Sequence, residues 1–565
     1  MPPLFLPLIA VLLVPTFEAP ASAQTIGGEW PTAMTLQSDA LGFARAANRV
    51  EDIDGDGVAD CAIGLPYLST IWGTQAGAVK FYSGATGLLL RTTYGANDFG
   101  RFGHAITGLH DVNNDGVGDY LISAPRQEVN GMLLAGSIYL CSGADGSQLW
   151  KLDGPGANAL FGNAIAATAD LDGDLIDDIL VGAPGSSPNG NAGSGAAFVY
   201  SGATGSFLAS YSGEASGDAF GHSIASAGDV NNDGFSDVLV GAITTDINFR
   251  SNCGSAYVYS GFDGTLLWRA NGASNDDFFG RAVAGTGDLN RDGFADIMVG
   301  APGADPNNFA FAGSTFVYSG VDGSLLFRLD GQSPSESFGF AVTNAGDVNG
   351  DQTNDLLIGA PDANFQAGYC AIFSGVDGSL LNLRADTSPS SQLGFAVCSL
   401  GDLDNDGLAE VLATAPHTEP TTFEDSFVFL YGFDPYLWSD HAELSASAGG
   451  SVTYRIDFPT DLGNNAYKLL GTNKGSGSTS IGGVLVPLHA TGPVWNALAA
   501  ITPPSVLTNS SGILNGDGNA IAVLTLPAGA ANAFIDTDIH FAALTFQMPA
   551  TGLASSAAIK LRILP

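Results

Sequence analysis

Short apolar runs alternating with polar turns fill the chain between about residues 30 and 435. The pattern is plainest from Phe102 to Gly154. There HAITGLHDV, DYLISAP, GSIYLCSG and SQLWKLDG are each of strand length, separated by an Asp/Asn/Gly turn, a polar loop and a Gly-containing turn at Ala144 to Gly146. Four strand signals with short connections and no helical period predict one four-stranded antiparallel meander.

That unit recurs. An aspartate-rich loop begins at Asp52, Asp111, Asp170, Asp229, Asp288, Asp347 and Asp402, with five intervals of 59 residues and a last one of 55. A fixed period of this length means that each repeat is one supersecondary unit that buries its faces against its neighbours. Seven four-stranded units predict an all-β fold, a seven-bladed β-propeller of four-stranded antiparallel blades. A β-solenoid has much shorter coils, and two tandem domains would need a linker that the 59-residue phase lacks. The shortened interval falls between Pro361 and Gly368, inside a loop. The last copy ends at FVFLYGF near Phe433 without a fourth strand, whereas Met34 to Ala40 precedes the first copy and resembles one. The N-terminal strand is therefore expected to complete the blade built from Leu393 to Phe433.

The acidic loops carry the chemistry. In DVNNDGVGD, oxygen-bearing side chains stand at positions 1, 3, 5 and 9, with glycine at position 6 for the sharp turn. A calcium ion takes six to eight oxygens, and this spacing brings them to one point. The second loop offers Asp111, Asn113, Asp115, the carbonyl of Val117 and Asp119. The first offers Asp52, Asp54, Asp56, Val58 and Asp60; the third Asp170, Asp172, Asp174, Ile176 and Asp178. The fourth has Asp229, Asn231, Asp233, Phe235 and Asp237, the fifth Asp288, Asn290, Asp292, Phe294 and Asp296. The sixth has Asp347, Asn349, Asp351, Thr353 and Asp355, and the seventh Asp402, Asp404, Asp406, Leu408 and Glu410. Up to seven Ca2+ are expected. Leu175 and Gln352 replace the turn glycine, so the third and sixth loops are expected to be distorted or weaker. One such nonamer could be a bare hairpin turn with Asx hydrogen bonds, but in-phase repetition of converging carboxylates calls for a cation to offset their repulsion. Magnesium sheds water reluctantly, and no histidine or cysteine recurs in the loop for zinc.

Each loop is flanked by two further motifs. FG stands at Phe102-Gly103, Phe161-Gly162, Phe220-Gly221, Phe279-Gly280 and Phe338-Gly339, with variants Phe43-Ala44 and Leu393-Gly394. GAP stands at Gly182-Ala183-Pro184, Gly300-Ala301-Pro302 and Gly359-Ala360-Pro361. Together with the acidic loops they resemble the FG-GAP repeat of integrin α-subunit propellers. The resemblance implies a seven-bladed propeller with calcium in hairpin loops on one face and ligand contact on the other. Integrin α propellers carry calcium in only some blades, whereas every copy here has a candidate loop.

With 57 Asp+Glu against 18 Lys+Arg, the net charge of −39 argues against nucleic acid or an anionic membrane as partner. Residues 4 to 14 are apolar but too short to span a bilayer, and Ala21-Ser22-Ala23 offers a cleavage pattern, so residues 1–23 read as a secretory signal peptide. A secreted or cell-surface protein, with no membrane span and as a monomer, is expected. Cys61, Cys141, Cys253, Cys370 and Cys398 occupy different places in the repeat and read mostly as small buried apolar residues. Residues 436–565 show short strand signals such as SVTYRIDF and AIAVLTLPAG and are expected to form a β-sandwich.

No GxSxG elbow, HExxH pair or phosphate-cradling loop occurs. His104 and His222 follow FG, but Asn163, Arg281, Phe340 and Phe395 stand in the same place, which points to packing or rim roles. The loops between second and third strands hold Tyr67, Trp72, Arg126, Phe249, Arg250, Phe309, Phe311, Phe365 and Phe423, which are expected near the propeller mouth. The reading is a non-enzymatic binding or adhesion scaffold for extracellular protein or glycan. A propeller-based hydrolase or lyase on polysaccharide and a purely structural surface protein are the alternatives.

Overall fold

The computed structural model describes residues 44–416 apart from 72 and 404–406, together with the backbone of strands at 26–29, 32–38 and in 426–564. The signal segment, Trp72, Asp404, Asp406 and Phe423 lie outside the described residues.

Six antiparallel four-stranded sheets are each made from four consecutive strands. In the second these are Ile106–Leu109, Asp119–Ala124, Ser137–Cys141 and Gln148–Asp153, as the alternation predicts. The repeat alone thus closes six blades rather than seven. A further four-stranded sheet is composite: Val397–Gly401, Glu410–Ala415 and Ser426–Tyr431 take their outer strand from Thr32–Ser38. That strand pairs antiparallel, with Thr35 opposite Phe429, and begins two residues earlier than Met34.

The second strand of each described blade is buried along its whole length, as in Asp178–Ala183 and Asp237–Ala242. It is hydrogen-bonded on both edges and packed on both faces, which is why DILVGA and DVLVGA read as continuous apolar runs. Fourth strands such as Gln148–Asp153 are only half-buried. Cores form between blades: Leu180 and Val199 of one pack with Phe220, Val238 and Val240 of the next. A similar cluster joins Cys61, Ile63 and Leu65 to Cys398, Leu400, Leu412 and Val428, tying the first consecutive blade to the composite sheet. All five cysteines are buried free thiols.

FG and GAP turn out to be two halves of one inter-blade contact. Phe220 is fully buried and bridges to Gly195 of the preceding blade, contributing about 1.5–3 kcal/mol by burial alone. Gly221 sits at φ +82°, and its carbonyl oxygen lies where a Cβ on Gly182 would be only 2.0 Å away. A side chain at the GAP glycine would force neighbouring blades apart.

Beyond residue 433, strands pair into an eight-stranded sheet and a separate four-stranded one. Ile26–Glu29 joins the larger sheet, parallel to Thr551–Ser556 and antiparallel to Asp434–Pro435. Only two residues, 30 and 31, thus separate a strand of the C-terminal sheet from a strand of the composite blade. Among the described residues, no helix is long and apolar enough to cross a membrane.

Candidate metal centre in the acidic loops

Each loop links the first and second strands of its blade, and its first carboxylate organises the turn. Asp52 accepts the N–H groups of Gly55 (2.6 Å) and Asp56 (3.1 Å) on Oδ1 and that of Gly57 (2.7 Å) on Oδ2. Asp111 and Asp229 hold Asp115 and Asp233, and Gly116 and Gly234, in the same way. In the first, second, third and fifth loops the third and fifth side chains are exposed. Carboxylate oxygens of Asp52, Asp54 and Asp56, and likewise of Asp170, Asp172 and Asp174, lie within 4.8 Å of one another. Oxygens that bind one ion at 2.3–2.6 Å stand at about such separations, so these donors fit calcium. In the second loop Asn113 replaces one carboxylate and donates to Asp115 Oδ2 at 2.8 Å. Asn113 Oδ1 accepts the Asp115 N–H at 2.9 Å, and the two bonds together orient the amide.

The ninth side chain is different in kind. Asp60, Asp119, Asp178, Asp237, Asp296 and Asp355 are at most 1% exposed. Asp237 accepts the Val230 N–H at 2.8 Å on Oδ2 and the Gly261 N–H at 2.9 Å on Oδ1. The same pair of bonds recurs at Asp60 with Ile53 and Gly84, and at Asp296 with Leu289 and Gly320. This carboxylate therefore staples the acidic loop to the turn between the third and fourth strands, which places both turns on one face. Each oxygen keeps a second lone pair for an ion. Burial pushes Asp60, Asp178, Asp237 and Asp296 up to about 6, against the pull of their backbone donors. In the seventh loop Glu410 takes this place, accepting from Leu403 N at 2.6 Å, while Asp402 accepts from Gly407 N at 2.9 Å.

The two loops that lack the turn glycine are not distorted. Leu175 and Gln352 adopt φ +70° and +63°, the left-handed backbone that glycine takes elsewhere, and donate to Asp170 and Asp347 at 2.8 and 2.7 Å. The first carboxylate's hydrogen bonds outweigh the steric preference of one residue. Because a left-handed non-glycine residue costs about 1 kcal/mol, Leu175→Gly is expected to raise stability by ~0.5–1 kcal/mol in urea unfolding. The sixth loop departs in burial instead. Asn349, Asp351, Thr353 and Asp355 are all buried, and Arg291 of the fifth loop reaches over to the Asp351 carbonyl (3.4 Å) and Thr353 Oγ1 (3.3 Å). Burial, with the neighbouring Asp347 carboxylate, drives Asp351 up to about 6.

At the opposite end of the blades, the residues after each FG position come together. Arg45, His104, Asn163, His222, Arg281, Phe340 and Phe395 ring a central cavity of about 400 Å³. The repeat phase put His104, Asn163, His222, Arg281, Phe340 and Phe395 at one position and pointed to packing or rim roles; Arg45, 59 residues before His104, and the convergence of the set on one cavity were missed. Tyr67 borders it, but Phe249, Phe309, Phe311 and Phe365 do not, since they stand on the loops farther out.

Residues 161–200, 220–259 and 279–318 match the FG-GAP repeat family model. The chain is 30% identical to integrin alpha-8 of Gallus gallus over 228 residues, 38% of this chain and 21% of that protein. It is 28% identical to integrin alpha-5 of Xenopus laevis over 236 residues, 39% of this chain and 21% of that protein. With integrin alpha-7 of Mus musculus the identity is 37% over 158 residues, 26% of this chain and 13% of the relative. The chain therefore spans about a fifth or less of the length of these relatives.

Proposed function

Because the chain carries FG-GAP repeats and is similar over part of its length to integrin α subunits, we propose that it is an exported, calcium-stabilised binding or adhesion scaffold. The six consecutive blades and the composite sheet form a ring of seven, followed by a C-terminal β-sandwich. The acidic loops hold up to seven Ca2+ through the residues at positions 1, 3, 5, 7 and 9, the buried sixth loop included. Calcium supplies charge neutralisation at one face. The other face meets an extracellular protein or glycan.

One observation carries the binding assignment. On the loops between second and third strands, Ile71, Leu133, Phe249, Phe311 and Phe365 are 91%, 62%, 108%, 50% and 94% exposed. Five large apolar side chains on loops at one end of a rigid ring, opposite the acidic loops, make a recognition surface rather than a solvated rim. The lining of the central cavity includes no aspartate or glutamate, which disfavours a hydrolase working through a carboxylate pair.

The full chain, immobilised in calcium, is expected to capture a matrix protein or glycan from a defined panel. The double variant Phe249→Ser, Phe365→Ser is expected to weaken that capture about tenfold with the melting temperature unchanged. Capture of nothing in the panel would leave the structural-protein reading. Release of oligosaccharide from any glycan would replace the scaffold by an enzyme.

A further inference from the structure

A chain with only 18 Lys and Arg places four arginines together at one mouth of the central cavity. Arg45 and Arg281 line it; Arg101 lies over Tyr67 of the lining, and Arg126 is near enough to act on Arg101 and His104. All four act on the single imidazole of His104. Among the described residues none of the four guanidiniums has an ion-pair or hydrogen-bond acceptor, and the Nε atoms of Arg45 and Arg101 are buried without a partner. In a molecule with 57 carboxylates, this concentration of unpaired positive charge is a departure from the rest of the surface. Burying an unpaired guanidinium is costly, and an anion that enters the mouth removes that cost.

The aromatic residues of the ring hold the arginines rather than compete with them. Arg281 lies over Phe340 at 4.1 Å and Arg45 over Phe395 at 4.4 Å, and the two phenyl rings touch at 5.1 Å. Arg101 lies over Tyr67 at 4.5 Å. A guanidinium stacked by its face keeps its N–H edges for a planar, bidentate acceptor, and stacking fixes it before the ligand arrives. Beside these cations stand the Asn163 amide and the imidazoles of His104 and His222. Burial, with the arginines' charge, holds those imidazoles down at about 4 and about 3, so both are neutral hydrogen-bonding groups at pH 7. A cavity of about 400 Å³ has room for one or two sugar rings.

We propose that this mouth is an oxyanion site for a sugar acid, in which Arg281 binds the carboxylate of a hexuronate, Arg45, Arg101 and Arg126 supply the surrounding positive charge, and Asn163, His104 and His222 meet its hydroxyls. The site is on the opposite end of the ring from the acidic loops. It stands on the geometry of the mouth alone, whether or not the apolar loop face binds a protein.

Calorimetric titration of the calcium-loaded full chain with galacturonate tests it, with galactose as the neutral control. Saturable uptake of galacturonate and none of galactose is expected. Arg126→Ala, at an exposed position, is expected to weaken uptake several-fold without changing the melting temperature, and Arg281→Lys to weaken it about tenfold by losing the bidentate edge while keeping the charge. Sulfate competing with galacturonate would identify the charge as the recognised feature. No uptake of galacturonate, equal uptake of galactose, or uptake unaltered in both variants would overturn the proposal.

Discussion

Chelating calcium from the full chain is expected to lower its melting temperature by ~10–20 °C, the largest single effect proposed for this protein. At a Kd of ~0.1 mM in ~1 mM calcium, one site stabilises by about 1.4 kcal/mol if the unfolded chain binds no ion. Seven independent loops would then contribute ~10 kcal/mol, comparable to the whole net stability of a domain. About 1 kcal/mol moves a domain of 150–250 residues by ~2–4 °C, and a larger ring by less. Two features make the dependence steep. Three carboxylates converge at Asp52, Asp54 and Asp56 and again at Asp170, Asp172 and Asp174, and Asp347, Asp351 and Asp355 are withdrawn from water as well. Without a cation the repulsion within each set acts against the fold. Calorimetric scans in calcium, magnesium and chelator would measure this, with magnesium the weaker stabiliser. Coincident scans in calcium and chelator would rule out the metal assignment.

The strands were legible because a meander repeats its own signals: apolar runs of five or six residues, each closed by a turn of fixed composition. The N-terminal strand was legible for a related reason, since a missing fourth strand at one end and an orphan one at the other leave a single way to seal the sheet. By contrast, Ile26–Glu29 pairs with strands more than 400 residues away, and no local pattern encodes that choice. Within the loops, spacing identified the nine positions but not their division of labour. Position 9 looked like one more ligand because its second role depends on a glycine 24 residues later, Gly261 for Asp237. The sixth loop looked weak at Gln352, yet what distinguishes it is burial, which is set by its neighbours and not by its own nonamer. At the mouth, the repeat phase made His104 and Arg281 equivalent, whereas the stacking of Arg281 on Phe340 and of Arg45 on Phe395 and Tyr67 is set by tertiary contacts that the repeat does not encode.

Replacing a ninth-position carboxylate is expected to destabilise the ring even when no calcium is present, and Asp237→Ala is the clearest instance. The substitution leaves the N–H groups of Val230 and Gly261 without acceptors in a site where Asp237 is 0% and Val230 1% exposed. Each buried donor left unpaired costs about 1–3 kcal/mol, and the vacated space adds to it, so a loss of ~3–5 kcal/mol in urea unfolding is expected in chelator. Asp233→Ala removes an exposed side chain of the same loop and is expected to cost only the ~1–2 kcal/mol of one calcium site, vanishing in chelator. Equal losses for the two variants, both dependent on calcium, would show that position 9 is a ligand and nothing more. Acidity offers a check on the same carboxylates. Asp60, Asp178, Asp237 and Asp296 sit at about 6 when folded without metal, against about 3.9 in an unfolded chain. Between those values the folded state holds more protons, so the stability these groups contribute is present below about pH 4 and is lost as pH rises to about 6. The chelated protein should therefore melt higher at about pH 4.5 than at pH 7, whereas calcium, which binds only the ionised carboxylates, should flatten or reverse that slope.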